Sequence, residues 1–451
     1  MFRHFSTDSP RRCGNLTYTN AMKALTLKPI RSIAGEVTLP GSKSLSNRAL
    51  LLSALAEGTT SLNNLLSSDD IERMLVALRQ LGVNLSLSED GCSCEVEGKA
   101  GLFATPAEPR FMLGNAGTAI RPLTAVLSLV PGEFEIDGDE YMRERPIAHL
   151  LEALGSLGAG FDYLGQAGCP PFRLEGGRVA GGQIEMPGNI SSQYLTALLM
   201  ALPLATSDSE ITVIGEQVSK PYLDITLGMM RLFSVEASHD DYQRFYIPGG
   251  QRYRSPGNYL IEGDASSASY FFGAAAIGGS ITVHGLGRDS VQGDIQFLDA
   301  IELMGAHVQR DSESITVRKA AGMNRLKAID VDLNHIPDAA MTIAAMALFA
   351  DGTTTIRNIF NWRVKETDRM HAMAEGLTRL GAKVTTTEDS ITIEPPAELN
   401  AATIDPYGDH RVAMSFSLAA LGNRDITIED PDCTRKTFPD YFDSLAAVSQ
   451  R

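Results

Sequence analysis

The sequence predicts an α/β protein of two similar domains, each built from three copies of one repeated unit. A block with the pattern of a β-strand, a turn, a charged loop and an amphipathic helix occurs six times, at intervals of roughly 70 to 77 residues. Most of these helices also end in a leucine-glycine or methionine-glycine turn, after which a new strand begins. Six α/β units are too many for one hydrophobic core, which favours two domains of three units.

The six copies share their polarity pattern. Strand residues alternate between polar and apolar, as in 353–356, and helix residues are apolar at helical spacing, as at Met74, Leu75 and Leu78. We therefore expect a strand followed by a helix in every copy. The copies begin at Gly58, Gly132, Ser209, Gly279, Gly352 and Arg424.

The ends of the repeats predict how the chain closes. A residue suited to the left-handed conformation follows most of the helices, at Gly82, Gly158, Gly305 and Gly381, with Ser234 in the third copy. The sixth copy runs out of chain after Ala447. We expect the N-terminal strand in KALTLKPI to complete it, which would place both termini in one unit.

This closure predicts one discontinuous domain. We expect residues 22–41 and 262–451 to form the first domain and residues 42–261 the second, with the chain crossing near Pro40 and near Glu262. Ligands of such proteins bind between the domains. Residues 1–21 carry arginines but no apolar stretch, and we expect a disordered extension or an upstream start codon, with Met22 as the natural beginning. A short organellar targeting peptide is the alternative.

Composition excludes several classes of protein. The 451 residues include 39 basic and 55 acidic side chains, for a net charge of −16, and 43% are hydrophobic. Disordered chains have lower hydrophobicity, and nucleic-acid-binding proteins have an excess of lysine and arginine. No apolar run is long enough for a membrane span. We therefore expect a cytoplasmic protein that binds neither nucleic acid nor membrane.

The cysteines predict neither a disulfide framework nor a zinc site. There are five, an odd number. Cys92 and Cys94 form a C-x-C pair on a predicted strand, where they could face the same side and bind metal, but no second pair exists. Reduced thiols are the alternative interpretation, and the one we prefer.

Two helix starts in the first half predict anion sites. In LPGSKSLSNRALLL, Ser42 or Ser44 can cap a helix whose first turn also presents Lys43 and Arg48. This is not a P-loop, because the required glycine spacing is absent. A capped helix with solvated basic side chains is the alternative.

In LGNAGTAIRPL, Gly117 allows close backbone approach, Thr118 can cap, and Arg121 projects from the first turn, where Pro122 is tolerated. A packed turn is the alternative here.

The second half contains a similar arrangement. NHIPDAAMT places Asp338 at a helix start, where the helix dipole favours a carboxylate. NWRVKETDR places Lys365, Glu366 and Arg369 on neighbouring helix positions. Lys365 and Arg369 would be like charges four residues apart, which destabilises a helix unless an anion bridges them.

Taken together, the basic residues predict an electropositive cleft in an otherwise acidic protein. They recur at strand-to-helix loops in both halves, and the shared topology places those loops together. No metal-binding or nucleophile motif accompanies them, so we expect neither a metal nor a cofactor. The predicted chemistry is the positioning of a polyanionic ligand, with one or two carboxylates for proton transfer.

Several strings of the sequence together resemble the motifs of one known family. The strings LPGSKSLSNRALLL, LGNAGTAIRPL, SSQYLTALLM, SKPYLDIT, EGDASSASYF, NHIPDAAMT, NWRVKETDR, DHRVAMSFSLAAL and CTRKTFPDYF occur in this order from about Met22 onward. They resemble the 5-enolpyruvylshikimate-3-phosphate synthase family. Gly117, Thr118 and Pro122 resemble the motif of its bacterial glyphosate-sensitive form.

The resemblance implies a fold and an activity. The fold would be two inverse α/β barrels of three units each, closing over the substrates. The activity would be transfer of the enolpyruvyl group of phosphoenolpyruvate to the 5-hydroxyl of shikimate 3-phosphate, with release of phosphate, in the shikimate pathway. The partners would be these two substrates and the inhibitor glyphosate. We expect a monomer.

The resemblance also implies roles for individual residues. Asp338 would accept the proton of the attacking hydroxyl, and Glu366 would protonate the methylene carbon, with a contribution from Lys43. The residues that would hold shikimate 3-phosphate are Lys43, Ser44, Arg48, Ser191, Ser192, Gln193, Ser219, Tyr222, Asp338, Asn361 and Lys365. Those that would hold phosphoenolpyruvate are Lys43, Gly117, Arg145, Gln193, Arg369, Arg411 and Lys436.

Two alternatives use the same fold. The first is enolpyruvyl transfer to UDP-N-acetylglucosamine, whose enzymes typically use a cysteine in a mobile loop, whereas residues 101–168 contain none. The second is a non-catalytic protein that senses a phosphorylated metabolite. It would require loss of an acid–base residue, and both Asp338 and Glu366 are present.

Overall fold

The computed structural model describes residues 24–450, and the expected extension at 1–21 lies outside them. In chain order the strands are β1 (Ala24–Leu27), β2 (Ser32–Thr38), β3 (Thr59–Asn63), β4 (Asn84–Leu87), β5 (Ser93–Glu97), β6 (Arg110–Met112), β7 (Gly132–Asp137), β8 (Gly160–Tyr163), β9 (Phe172–Gly176), β10 (Gly182–Pro187), β11 (Ser209–Ile214), β12 (Ser238–Asp240), β13 (Arg244–Ile247), β14 (Asn258–Leu260), β15 (Gly279–His284), β16 (His307–Arg310), β17 (Ser314–Arg318), β18 (Asp330–Asp332), β19 (Thr354–Arg357), β20 (Lys383–Thr386), β21 (Ile391–Glu394), β22 (Ala402–Ile404), β23 (Ile426–Glu429) and β24 (Ser449–Gln450).

The α-helices alternate with these strands. They are α1 (Lys43–Leu55), α2 (Asp69–Gln80), α3 (Gly117–Leu127), α4 (Ala148–Ser156), α5 (Ser192–Ala201), α6 (Lys220–Leu232), α7 (Ala265–Gly278), α8 (Phe297–Leu303), α9 (Ala340–Met346), α10 (Arg369–Arg379), α11 (His410–Ser417) and α12 (Tyr441–Val448). Short 3₁₀ turns lie at Met142–Glu144, Leu202–Leu204, Gly293–Gln296, Ala347–Phe349, Phe360–Val364, Leu418–Gly422 and Pro431–Lys436. No helix among residues 24–450 is long and apolar enough to cross a membrane.

Residues 24–450 form six sheets that share one central arrangement, in which a strand has a parallel neighbour on one side and an antiparallel neighbour on the other. In β6-β7-β9-β8 the first two strands are parallel and the other neighbours are antiparallel, and β10-β11-β13-β12 and β18-β19-β21-β20 have the same order. Parallel neighbours need a long crossover, which a helix such as α3 supplies between β6 and β7. Each predicted repeat corresponds to the central strand of one sheet and the helix that follows it.

The other three sheets borrow strands from distant parts of the chain. The sheet β14-β3-β5-β4 takes its first strand from beyond residue 257, and β2 joins β15, β17, β16 and β24. In the last sheet β1 pairs with β23, with Ala24 opposite Glu429. The prediction that the N-terminal strand completes the sixth unit is confirmed.

The predicted helix ends are also confirmed. Gly82, Gly158, Gly305 and Gly381 follow the ends of α2, α4, α8 and α10 with positive φ. Ser234 takes the same conformation after α6, with φ of 65°. These left-handed residues stop each helix and return the chain to a strand.

Two separate hydrophobic cores form. Core I contains buried residues between Leu45 and Ile261, and core II contains those of Ile30–Leu39 together with Ala265–Val448. The chain passes between the cores in two adjacent segments, where Gly41 pairs with Gly263. On this ground we propose the domain boundaries that the sequence predicts, 22–41 with 262–451, and 42–261.

Buried helices form the centre of each core. Helices α1, α3 and α5 in core I are buried along nearly their whole length, and so are α7, α9 and α11 in core II. A helix that is buried on all sides is apolar all round, which explains the leucine-rich and alanine-rich runs of the sequence. Polar and charged side chains lie in the first turns of several of these helices, such as Lys43 of α1, Ser192 of α5 and Arg411 of α11.

Candidate active site

A pocket lies between the two cores at the N-termini of α1, α3, α5 and α11. Fifteen of the seventeen predicted site residues line it, namely Lys43, Ser44, Arg48, Gly117, Arg145, Ser191, Ser192, Gln193, Ser219, Tyr222, Asp338, Asn361, Lys365, Glu366 and Arg411. The other two, Arg369 and Lys436, contact carboxylates of this lining. Helix N-termini carry partial positive charge, so their convergence favours an anionic ligand.

Helix α1 places Lys43 and Arg48 in the pocket. Arg48 is buried, and its Nε donates a hydrogen bond of 2.9 Å to Oγ1 of Thr226. Burial lowers the pKa of Arg48 to about 10, against the opposing effect of Tyr222. The predicted cap is wrong in detail: Ser42 is at the N-cap position but its side chain makes no capping hydrogen bond, and Ser44 lies inside the first turn.

Helix α3 begins at Gly117, so the prediction that Thr118 caps it is wrong. Ala116 is at the N-cap position, and the Thr118 hydroxyl instead accepts a hydrogen bond of 2.7 Å from Asn47. Pro122 lies in the second turn, beyond the predicted position at the helix start.

Three polar groups crowd around Gly117. A Cβ at this residue would lie 2.5 Å from Nη1 of Arg121, 2.9 Å from Nη2 of Arg145 and 3.0 Å from Oε1 of Gln193. Since real Cβ atoms do not approach other atoms so closely, any side chain here would displace one of the three groups. Glycine therefore keeps this part of the pocket open.

Helix α5 begins with a side-chain cap. The Ser191 hydroxyl accepts a hydrogen bond of 3.2 Å from the backbone N–H of Gln193. The side-chain carbonyl of Gln193 accepts one of 2.6 Å from Arg121. This bond directs the amide NH₂ of Gln193 away from Arg121, which leaves a donor available to a ligand.

Polar contacts join the two cores across the pocket. Ser219, in left-handed conformation with φ of 56° before α6, lies with its Oγ 3.5 Å from Nδ2 of Asn361. The Tyr222 hydroxyl donates a hydrogen bond of 2.7 Å to Oδ2 of Asp294. Burial, together with the negative charge of Asp338, raises the pKa of Asp294 to about 6.

Three cations surround the carboxylate of Asp338. Arg369 donates to it at 2.8 Å, the Arg411 guanidinium lies at 3.1 Å, and the Lys365 ammonium lies at 3.4 Å. Burial alone would raise the pKa of Asp338, but these charges outweigh it and hold the pKa well below its usual range. The group is therefore a carboxylate, the form that accepts a proton.

This arrangement corrects the predicted helix through Lys365 and Arg369. Helix α10 begins only at Arg369, and Lys365 lies in the preceding loop after a 3₁₀ turn. The two side chains are not stacked on one helix face, and Asp338 of the chain itself is the anion that bridges them.

Glu366 lies on the other side of Arg369. Arg369 donates to it at 2.8 Å, while the ammonium groups of Lys43 and Lys436 each lie 4.0 Å away. Burial opposes ionisation, but Arg369 and Arg145 together with the two lysines hold the pKa of Glu366 well below its usual range. Without bound anions, Glu366 has no proton to give.

The sequence does not identify some of the charged residues that surround the pocket. Asp409, fully buried, accepts a hydrogen bond of 2.8 Å from Arg369. Asp70 lies 3.4 Å from Lys43. Arg121, from the LGNAGTAIRPL motif, is a third such residue, and it donates a hydrogen bond to Gln193 of the pocket lining. The available signal was weak: Asp409 and Asp70 both lie at helix starts, where carboxylates are common for reasons unrelated to ligands.

The cysteine pair is not arranged as predicted. Cys94 is buried within β5, but Cys92 precedes that strand in a bend, so the two cysteines do not both belong to one strand. Among residues 24–450, no group of histidine, cysteine, aspartate or glutamate side chains is clustered to hold a metal ion.

Comparison with known proteins identifies the family. The family described as EPSP synthase (3-phosphoshikimate 1-carboxyvinyltransferase) matches residues 27–445. The 3-phosphoshikimate 1-carboxyvinyltransferase of Photobacterium profundum is 57% identical over 430 residues, 95% of this chain and all of that protein. That of Vibrio cholerae strain M66-2 is 56% identical over the same coverage. The chain belongs to the EPSP synthase family.

Solved structures agree with this membership and confirm the predicted fold class. EPSP synthase from Acinetobacter baumannii superposes with a TM-score of 0.79 at 27% identity, covering 95% of this chain and 98% of that one. The enolpyruvyl transferase NikO from Streptomyces tendae, at 16% identity, shares the fold with a TM-score of 0.74. The two-domain α/β architecture of six units is that of the EPSP synthase family.

Proposed function

We propose that this protein transfers the enolpyruvyl group of phosphoenolpyruvate to the 5-hydroxyl of shikimate 3-phosphate, giving 5-enolpyruvylshikimate 3-phosphate and phosphate. The observation that carries the proposal is that eight basic side chains and two carboxylates, Asp338 and Glu366, gather in and around one pocket between the two cores. The eight are Lys43, Arg48, Arg121, Arg145, Lys365, Arg369, Arg411 and Lys436.

Charge balance supports this pair of substrates. Each carries a phosphate and a carboxylate, and unpaired anions so close together would repel strongly in a buried site. Asp70, Asp338, Glu366 and Asp409 neutralise only part of the positive charge. The remaining cations are available to the substrates. When the domains meet, contacts across the cleft, such as the hydrogen bond from Lys436 to the backbone carbonyl of Asn115, exclude water.

In the proposed mechanism, Asp338 takes the proton of the 5-hydroxyl as its oxygen bonds to C2 of phosphoenolpyruvate. Glu366 delivers a proton to the methylene carbon, which becomes a methyl group, and Lys43 stabilises the charge. In the second step Glu366 takes a proton back from the methyl group, the C2–O bond to the phosphate breaks, and phosphate leaves. Atoms balance, since the proton from the hydroxyl departs with phosphate.

Glu366 must gain its proton after binding. Phosphoenolpyruvate would bring negative charge to Arg369, Arg145, Lys436 and Lys43, the cations that lower the pKa of Glu366 in the ligand-free site. We expect binding to raise this pKa and so to supply the acid only when the substrate is in place.

We assign the shikimate 3-phosphate contacts to the side of the pocket formed by Ser44, Arg48, Ser191, Ser192, Ser219, Tyr222, Asn361 and Lys365. Phosphoenolpyruvate would lie at the side formed by Gly117, Arg145, Gln193, Arg369, Arg411 and Lys436. Glyphosate, an anionic inhibitor, would take the place of phosphoenolpyruvate beside Gly117.

We also propose a cytoplasmic monomer. One chain supplies all of the residues assigned to the site, so catalysis requires no partner subunit. Cys94, Cys169 and Cys433 carry free thiols, which fits a reducing compartment. Light scattering of the purified protein would test the oligomeric state.

Phosphate release with alternative acceptors tests the proposed function. Purified protein would be given phosphoenolpyruvate with shikimate 3-phosphate, and separately with UDP-N-acetylglucosamine. We expect phosphate only with the first acceptor. Release only with the second would reassign the acceptor site, and release with neither from folded protein would favour a non-catalytic binding protein.

A further inference from the structure

The carboxylate of Asp70 is buried between two lysines of the site. Asp70 is in the first turn of α2 and is only 4% exposed. Its Oδ2 lies 3.4 Å from Nζ of Lys43, and its Oδ1 lies 4.0 Å from Nζ of Lys436. Lys43 belongs to α1 of core I, whereas Lys436 immediately precedes the part of core II that contains Phe438. Asp70 thus contacts a cation from each side of the cleft.

Charges of opposite sign alternate around these lysines. Glu366 also lies 4.0 Å from Lys43 and 4.0 Å from Lys436. Lys436 also donates a hydrogen bond of 3.0 Å to the backbone carbonyl of Asn115. Both ammonium groups therefore lie within 4.0 Å of the same two carboxylates, of which only Glu366 lines the pocket.

We propose that Asp70 is a positioning residue that holds Lys43 and Lys436 together, one from each side of the cleft, at the place where phosphoenolpyruvate binds. This inference rests on the proposed function, in which both lysines hold that substrate. Asp70 does not touch the substrate; it acts through the two ammonium groups, which would otherwise repel one another and separate.

A helix-dipole role alone does not explain this residue. Carboxylates in a first helical turn are favoured by the dipole, and Asp69 in the same turn of α2 gains that benefit while remaining exposed. Asp70 is instead buried, which is costly for a carboxylate unless cations compensate it. Its Oδ2 makes no hydrogen bond, so the two lysines are its main compensation.

The negative charge of Asp70 raises the pKa of Lys436. Burial lowers the pKa of Lys436, and Asp70 and Glu366 oppose this effect, while Lys43 and Arg145 add to it. The nearby His410 is itself buried, with a pKa held well below its usual range, and so is neutral. Removing the Asp70 charge therefore lowers the pKa of Lys436 further.

The test compares Asp70→Asn with Asp69→Asn. Both remove one negative charge from the same helical turn, but only the first removes the partner of the lysines. For Asp70→Asn we expect KM for phosphoenolpyruvate to rise about tenfold and KM for shikimate 3-phosphate to stay within about twofold. In the pH profile of kcat/KM for phosphoenolpyruvate, the alkaline limb, where activity falls as Lys436 loses its proton, should move to lower pH by about one unit. Asp69→Asn should match the wild type in all three.

Asp70→Glu keeps the test decisive if the asparagine variant does not fold. It restores the charge and should return the alkaline limb to the wild-type position. The proposal is overturned if Asp70→Asn leaves the limb unmoved or tightens phosphoenolpyruvate binding, or if Asp70→Glu behaves like a charge deletion. Failure of the proposed function would be distinct, because then the wild type and Asp69→Asn would also lack activity with shikimate 3-phosphate.

Discussion

Arg369 donates a hydrogen bond of 2.8 Å from Nη1 to Oδ1 of Asp338, and both side chains are shielded from solvent. The same guanidinium donates from Nη2 to Glu366 and from Nε to Asp409, each at 2.8 Å. One arginine thus sets the positions of the two carboxylates to which we assign the proton transfers. Its planar arrangement of donors suits this task, which a lysine cannot perform.

We therefore expect Arg369→Lys to lower kcat/KM by about 10²- to 10⁴-fold, because lysine has one compact ammonium where Arg369 uses three separate nitrogens of a planar group to reach three carboxylates. Steady-state kinetics of phosphate release would measure the loss. Arg379→Lys is the matched control, since Arg379 is at the other end of α10 and pairs with Glu375 near the surface. Equal effects of the two substitutions would contradict the role of Arg369.

Lys43→Met and Arg145→Ala should each reduce turnover by about 10²-fold or more while the fold survives. Both cations are buried in the pocket lining, where they would stabilise charge that develops on the reacting substrate. Kinetics together with circular dichroism would separate lost catalysis from lost folding. Arg178→Ala, at an exposed ion pair with Glu175, serves as the control. Near-normal activity in either pocket variant would show that its assignment is wrong.

Gly117→Ala should weaken glyphosate inhibition and also raise KM for phosphoenolpyruvate. The added methyl group would press on Arg121, Arg145 and Gln193, which must shift by a few tenths of an ångström or more. Inhibition constants for glyphosate, measured at several concentrations of phosphoenolpyruvate, would quantify both effects. Unchanged inhibition would place the inhibitor elsewhere than beside Gly117.

Asp294→Asn should stabilise the protein at neutral pH. Burial raises the pKa of Asp294 to about 6 from the ordinary value of 3.8. Between these values the folded state binds more protons than the unfolded state, so stability falls as pH rises through this window. The asparagine variant avoids that loss, which amounts to roughly 2 to 3 kcal/mol at pH 7.

The free energy of unfolding, obtained from denaturant titrations at pH 4 and pH 7, would check this prediction. The difference between Asp294→Asn and the wild type should grow with pH and level off above about pH 6. A difference that is the same at both pH values would mean that Asp294 does not titrate in this range. The side-chain carbonyl of asparagine can still accept the hydrogen bond from Tyr222, so that contact is preserved.

The sequence was sufficient to predict the six repeated strand–helix units and their spacing. Strand alternation and left-handed residues such as Gly82 and Ser234 are local signals, and the six copies reinforce one another. The pairing of β1 with β23 joins residues some 400 positions apart, yet it was predictable because the sixth unit lacked a strand.

The ion-pair network was harder to predict. Which carboxylate faces which cation depends on the approach of distant loops, as when Asp338 bridges Lys365 and Arg369. Helix starts were also misplaced, because Thr118 and Lys365 satisfy local rules that tertiary contacts override. Asp70 gave no local signal that separates it from its neighbour Asp69.

The central claim is enolpyruvyl transfer by addition and elimination within this one site. The most direct test is mass spectrometry of the product formed from phosphoenolpyruvate and shikimate 3-phosphate in heavy water. We predict 5-enolpyruvylshikimate 3-phosphate with deuterium in its methylene group, because Glu366 would deliver a solvent-derived deuteron before elimination. A product without deuterium there, or no such product from folded protein, would contradict the account.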